Sequence, residues 1–237
     1  MDNGFLGSIL EKMNISNDSE KLDKLNSFYE LLVEKNKVMN LTAITDYNEA
    51  CIKHFADSLA LIPYFDVSQC KTVADLGTGA GFPGVPLAIF FPEVQFTLID
   101  SVNKKLLFIE ESCSSLGIEN VRVLHGRAED ISHGEFRQGF DLAVSRAVSN
   151  LSVLSELILG MVKKGGMFVS YKSAQSDDEI KSSSKAVELM GGRIEKVIDF
   201  TIPDTELERK FVLIKKVKDT PKRFPRKAGT PLKSPLG

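Results

Sequence analysis

The chain has 237 residues, 43% apolar and 26% charged, with a formal net charge of −2. That is the make-up of a globular protein with room for one ample α/β core. The longest apolar run, Val85 to Phe91, is far short of a membrane span, and no basic flank leads into an apolar block at the N-terminus, so neither a membrane segment nor an export signal is expected.

Residues 1 to 66 read as helices alone. Leu22, Leu25, Phe28, Tyr29, Leu32 and Val33 recur at three- to four-residue spacing and predict an amphipathic helix, with Asp18 or Ser19 ahead of it as a cap. The stretch NLTAIT breaks the pattern, and Asp46 can cap a further helix that Pro63 helps to close. From Lys71 the rhythm becomes one of alternating strands and helices. Strands are predicted at 72–76, 95–100, 121–125, 140–145, 166–171, 194–201 and 210–217, with helices near 84–90, 103–116, 150–161 and 176–190. Five βα units followed by two closing strands predict a Rossmann-like α/β fold: a seven-stranded, mostly parallel sheet with an N-terminal helical extension. Ligands in such sheets sit at the carboxyl ends of the strands. The expected division is a helical extension or lid at 1–66, a Rossmann-like domain at 67–218 and a basic, Pro-rich tail at 219–237. Pro221, Pro225, Pro231 and Pro235 predict that the tail is extended rather than helical.

Charge is unevenly spread. From Arg209 onward there are ten Lys or Arg against one acid, Asp219, which leaves 20 basic and 31 acidic residues in the rest of the chain. A basic end on an acidic body suggests a polyanionic partner, and the plain alternative is a solvated tail. Cys51, Cys70 and Cys113 are odd in number without CxxC spacing, and His54, His125 and His133 form no ligand pattern. A reduced, cytoplasmic protein without structural metal is expected.

The stretch VADLGTGAGFPGVPLAIFF, Val73 to Phe91, is an apolar strand ending on an acid, then a glycine-dense turn, then a helix start. Gly79-Ala-Gly81-Phe-Pro-Gly84 matches GxGxxG, which alone is a weak dinucleotide signal. Asp75 would set a negative charge beside a pyrophosphate, and Pro83 and Pro86 remove amide donors that phosphate oxygens need. A cationic nucleoside with an ammonium group suits that acid better, and S-adenosylmethionine (SAM) has those properties. The second strand ends on Asp100, an acid placed to grip a ribose diol, and GRAEDI after the third strand puts Ala128 and Glu129 where an adenine would rest. These loops are similar to the SAM site of class I SAM-dependent methyltransferases. Any one acid could equally be a surface cap. A nicotinamide-dependent oxidoreductase is the rival on the literal GxGxxG.

After the fourth strand comes FDLAVSRAVSNL, with no Pro-Pro-aromatic run for amino methylation and no nucleophilic Cys for attack at a pyrimidine carbon. Arg146 stands at the strand end, either clamping a phosphate or the SAM carboxylate or forming a structural salt bridge to a neighbouring strand end. At this point DLGTGAGFPGVPLAI, GRAED, SRA, NLTAI (Asn40 to Ile44), HFADSL (His54 to Leu59) and PKRFPRKAGTPLKSPL together resemble the ribosomal RNA small subunit methyltransferase G family, also called glucose-inhibited division protein B. The resemblance runs over nearly the whole chain. It implies a SAM-dependent enzyme that forms 7-methylguanosine in the 530 loop of bacterial 16S rRNA, within the small ribosomal subunit.

It further implies SAM contacts at Gly77, Phe82, Ala128, Glu129 and Arg146, with Asp75 and Gly79 in the same loop and Asp100 at the ribose. Arg146 and Lys172 are expected to position the nucleotide, because guanine N7 has its own lone pair and needs no base. Asn40 and His54 are candidates for a substrate-side lid, or else a helix cap and an interior imidazole. Phe82 could stack on a purine or belong to the core. Arg223, Arg226, Lys227 and Lys233 are candidates for a phosphate-tracking arm whose deletion should lower RNA affinity and spare SAM binding. A monomer without metal is expected, and a non-catalytic SAM-binding assembly factor remains the second rival.

Overall fold

A computed structural model describes residues 3–237. Its centre is one seven-stranded sheet: β1 (Thr72–Leu76), β2 (Gln95–Asp100), β3 (Val121–His125), β4 (Phe140–Arg146), β5 (Val162–Ser173), β6 (Gly192–Thr201) and β7 (Glu208–Lys216). The spatial order is β3-β2-β1-β4-β5-β7-β6. The pairs among β1 to β5 are parallel, whereas β7 runs antiparallel to both β5 and β6. The chain therefore overshoots to the edge with β6 and folds back to insert β7. Strand order reverses between β1 and β4, the crevice where such sheets hold ligands.

The N-terminal helices are α1 (Asn3–Lys12), α2 (Ser19–Met39), α3 (Tyr47–Ala50) and α4 (Asp57–Leu59). Asp18 rather than Ser19 caps α2, accepting from the Lys21 amide at 2.9 Å, and Asp46 caps α3 through the Glu49 amide at 2.8 Å. The single helix expected after Asp46 is interrupted by a π-helical turn at Cys51–Ala56. Within that turn the Lys53 carbonyl accepts from Arg146, and such widened turns recur at functional sites. Phe28 is fully buried, with the Phe82 and Phe108 rings each 5.7 Å away. Burying one such ring is worth about 1.5–3 kcal/mol, so the N-terminal helices share the core of the sheet's first face.

The remaining helices are α5 (Gly84–Phe90), α6 (Asn103–Ser115), α7 (Ala128–His133), α8 (Leu151–Ile158), α9 (Asp177–Ser182), α10 (Ser184–Leu189) and α11 (Thr230–Lys233). The helix expected over 176–190 is split at Ser183, whose hydroxyl donates back to the Glu179 carbonyl at 2.6 Å. Ala128 and Glu129, expected in a loop, open the short helix α7.

The tail departs most from expectation. Lys216 is wholly buried and donates to the Leu159 and Met190 carbonyls at 2.6 and 2.8 Å and to the Thr220 hydroxyl, while burial pushes its ammonium down to about 7. Arg137 donates to the Thr220 carbonyl at 2.7 Å and the Phe224 carbonyl at 3.0 Å, and Phe224 joins the core of the second face. The segment is docked, and it ends in α11 rather than in extended chain. Pro231 stands in the first turn of that helix, where its missing amide costs nothing.

Candidate functional site

Two cavities open at the carboxyl ends of the strands, and Ala147 lines both. The first has a volume of about 470 Å³ and is lined by Gly77, Asp100, Ala128, Glu129, Val148 and Leu232 among others. The second, of about 530 Å³, is lined by His54, Asp57, Arg146, Lys172, Glu179 and Arg209 among others. Ala147 adopts φ +57°, a left-handed conformation uncommon for a residue with a Cβ, where the chain leaves β4 between the two.

The first cavity is built on the turn after β1. The Gly77 and Thr78 amides both donate to the Ile99 carbonyl, at 2.8 and 3.1 Å, which ties this turn to the end of β2. Gly77 has φ +72°, and a Cβ there would collide with Val148. Asp100 is 8% exposed at the rim. Its carboxylate accepts from the Gly79 amide at 3.0 Å and the Val102 amide at 2.9 Å, and a carboxylate has about four lone-pair sites, so two remain for a diol. Gly79 thus acts through Asp100 and lines neither cavity. Glu129, 8% exposed, accepts the Gly229 amide at 2.9 Å from the docked tail.

Asp75, expected in the cofactor loop, lines neither cavity. Its side chain is fully buried and accepts from the Thr78 hydroxyl at 2.7 Å and the Gly84 amide at 2.9 Å. Burial pushes the carboxyl up to about 6 against the pull of those donors. The acid ending β1 is therefore an internal brace that occupies the start of α5, the place a pyrophosphate would need. A Cβ at Gly84 would lie 2.8 Å from the Asp75 Oδ2, so the last glycine of GxGxxG serves this brace.

Phe82 is likewise corrected from ligand platform to core. It is 5% exposed, stacks on His54 with centroids 4.4 Å apart, and meets Phe28 and Phe55 edge-on. His54 lines the second cavity, where its Nε2 pairs with the Thr42 hydroxyl at 2.9 Å and its Nδ1 is buried without a partner. Burial first, and the Arg146 charge second, push this imidazole down to about 4, so it is neutral at pH 7.

Arg146 belongs to the second cavity rather than the first. Its Nη1 donates to the Lys53 carbonyl at 2.9 Å and to Asp57 Oδ2 at 2.7 Å. Arg209 Nε holds the other Asp57 oxygen at 3.0 Å, so one nearly buried carboxylate locks two guanidiniums. Lys172 donates to the Ser149 carbonyl at 2.8 Å and to Glu179 Oε1 at 2.6 Å. The salt-bridge alternative for Arg146 is what the geometry shows, although the partner is the helical Asp57 rather than a strand end.

Among the arm candidates, Arg226 is taken up: it forms a two-pronged pair with the fully buried Glu156, at 2.9 Å through Nε and 2.6 Å through Nη2. Of the other basic residues after 208, Lys216 is buried, Lys210 pairs with Asp177 and Asp199, and Arg209 pairs with Asp57. Arg223, Lys227 and Lys233 stay exposed, as does Lys222. Asn40 caps α2 through its own backbone at φ +50°, donating to the Asn36 carbonyl, and lines neither cavity. Sequence reasoning passed over Asp57, Glu179, Arg209 and Leu232. Asp57 was within reach, since it lies inside the HFADSL stretch that carries the resemblance.

Comparison with known proteins gives the family and the fold. The sequence model of the family described as rRNA small subunit methyltransferase G covers residues 21–209. The chain is 44% identical over 236 residues to a ribosomal RNA small subunit methyltransferase G of Lachnoclostridium phytofermentans, spanning 99% of this chain and 98% of that protein. It is 46% identical over 228 residues to the protein of the same name from Bacillus licheniformis, spanning 96% and 95%. In fold it is similar to the solved structure of mitomycin 7-O-methyltransferase, with a TM-score of 0.59 at 15% identity over 80% of this chain and 60% of that one.

Proposed function

The chain belongs to the rRNA small subunit methyltransferase G family, and from that premise we propose that it methylates N7 of a guanine in the 530 loop of 16S rRNA. It is a SAM-dependent methyltransferase whose substrate is small-subunit rRNA. No helix among the described residues is long and apolar enough to cross a membrane. Action as a cytoplasmic monomer is part of the proposal.

The residues present fit the cofactor. Asp100 offers free lone pairs to a ribose diol at the end of β2, Ala128 leaves room for a flat base, and Gly77 lets a ligand approach the backbone directly. A volume of about 470 Å³ is in the range of nucleoside-sized sites. When bound, SAM supplies an electrophilic methyl group.

The observation that carries the N7 reading is that each acid lining the second cavity is tied to a cation of the protein and no thiol lines it. Both Asp57 oxygens and one Glu179 oxygen are in ion pairs, and His54 is held by Thr42. Neither cavity contains a cysteine, and burial pushes the Cys51 and Cys70 thiols up to about 11 and Cys113 to about 12. An acceptor that must be attacked by a thiolate finds no partner here, and one that must lose a proton meets acids already paired with cations. Guanine N7 needs neither. Alignment of the acceptor lone pair then supplies most of the rate, on the order of 7–11 kcal/mol in favourable cases. Arg146, Arg209 and Lys172 give the cavity the charge to hold a nucleotide and its phosphate. N7 lies on an edge buried in A-form RNA, so a loop nucleotide is the accessible form.

The test is transfer of a labelled methyl group to small subunits from a strain lacking the enzyme, with the modified nucleotide mapped. A label at N7 of a guanine supports the reading. A label on an exocyclic amine or a ribose overturns it.

A further inference from the structure

The Lys172–Glu179 pair does more than neutralise the second cavity. Both residues line it, with side chains 9% and 29% exposed. Lys172 spends two of its three donors, on Ser149 and on Glu179 Oε1, and keeps one. Glu179 Oε1 also accepts the Leu151 amide at 2.5 Å, which pins the carboxylate from behind, while among the described residues no hydrogen bond engages Oε2. The cavity's other acid, the buried Asp57, has both oxygens committed to Arg146 and Arg209. Glu179 is therefore the carboxylate there with an acceptor to offer.

A lysine beside such a glutamate presents a donor followed by one open oxygen with two lone pairs. Guanine presents the complement along one edge: the O6 acceptor, then the N1–H and 2-amino donors. Adenine presents a 6-amino donor and an N1 acceptor, so it opposes like to like at both positions. Resting on the guanine-N7 reading above, we infer that Glu179 selects guanine through Oε2, whose two lone pairs accept from N1–H and the 2-amino group, with Lys172 donating to O6. N7 is not used in this contact and stays free for methyl transfer. The base must be unpaired, because the protein occupies the edge that a Watson–Crick partner would take. Selection rests on leaving the wrong base with unmatched buried polar groups, the strongest discrimination a small site can exert.

The experiment compares target RNA carrying guanosine or inosine at the methylated position, since inosine lacks only the 2-amino group. Wild-type protein is expected to favour guanosine by about ten-fold or more in kcat/KM. Glu179→Gln should lower transfer to guanosine and reduce that preference to near unity, with SAM affinity and melting temperature unchanged. A parallel fall on both RNAs, with the preference intact, would mean a merely structural glutamate and would overturn the inference while the N7 reading stands. Equal use of the two RNAs by the wild type would overturn it as well. If the wild type leaves N7 unmethylated on every RNA, it is the underlying reading that fails, and this inference with it.

Discussion

The amide of Gly229 donates to Glu129 Oε1 at 2.9 Å, joining positions 100 residues apart at the mouth of the first cavity. Through this bond the C-terminal segment closes over the site where the cofactor's base is expected, and Leu232 lines the same cavity. With SAM in the first cavity as proposed, tail and cofactor would be neighbours, and removing the tail would then touch SAM binding.

Leu232→Ser should weaken SAM binding. The side chain is 69% exposed and becomes covered when a ligand fills the cavity, which is worth about 1–2 kcal/mol of apolar contact. Calorimetric titration should show a dissociation constant raised accordingly, while deletion from Thr220 raises it further. An unchanged constant in Leu232→Ser would show that the tail stands clear of the ligand.

Arg226→Ala should destabilise the fold by about 3 kcal/mol, because it strands the charge of the fully buried Glu156. Urea denaturation measures this directly. A free arm residue would show almost no effect.

Asp100→Ala should reduce SAM affinity by about 1.5–3 kcal/mol, the value of hydrogen bonds to a charged group. The same substitution frees the Gly79 and Val102 amides, so the turn after β1 should also show faster amide exchange. Unchanged affinity would remove Asp100 from the ribose.

Stability against pH carries two opposing contributions. The Asp75 carboxyl is raised from its ordinary 3.8 to about 6, so the folded state holds more protons and this contribution falls as pH rises through that window. The His54 imidazole is lowered from 6.5 to about 4, so the unfolded state holds more protons and its contribution grows as pH rises from about 4 to 6.5. Each displacement is a little over two pH units, about 3 kcal/mol, and the two nearly cancel. Asp75→Asn should therefore make stability rise between pH 4 and 6.5, and His54→Gln should make it fall. Denaturation midpoints across that range decide the signs.

Asp57→Asn keeps the shape of the clamp and removes the charge between Arg146 and Arg209. Methyl transfer to RNA should fall about ten-fold, as the two guanidiniums lose a charge-assisted partner. SAM affinity should stay as it was, because Asp57 lines the second cavity and not the first. A change confined to SAM binding would reverse the roles given to the cavities.

Much of this molecule is written in local pattern. Short apolar runs from Val73 to Leu76 and from Phe96 to Asp100 place two strands and the acids near their ends, and the spacing of Leu25, Phe28 and Leu32 places α2. Glycine density after Leu76 marks the turn that meets the ligand, since positive φ is a local requirement. From these the sheet, the cofactor class and Asp100 followed. Asp75 and Asp100 look alike in sequence, each an acid closing an apolar strand. Only packing decides that one is walled in beneath α5 and the other reaches the cavity rim. The basic tail reads as a free arm by composition. It is docked because Glu156, Glu129 and the Leu159 carbonyl wait for it some 60 to 100 residues earlier in the chain. The Arg146–Asp57–Arg209 clamp spans separations of 89 and 152 residues. Local periodicity determined the elements and where their ends meet. Which charges are spent on the protein itself, and which are left for RNA, is set by long-range contact, because a charge's partner depends on where the folded chain brings it.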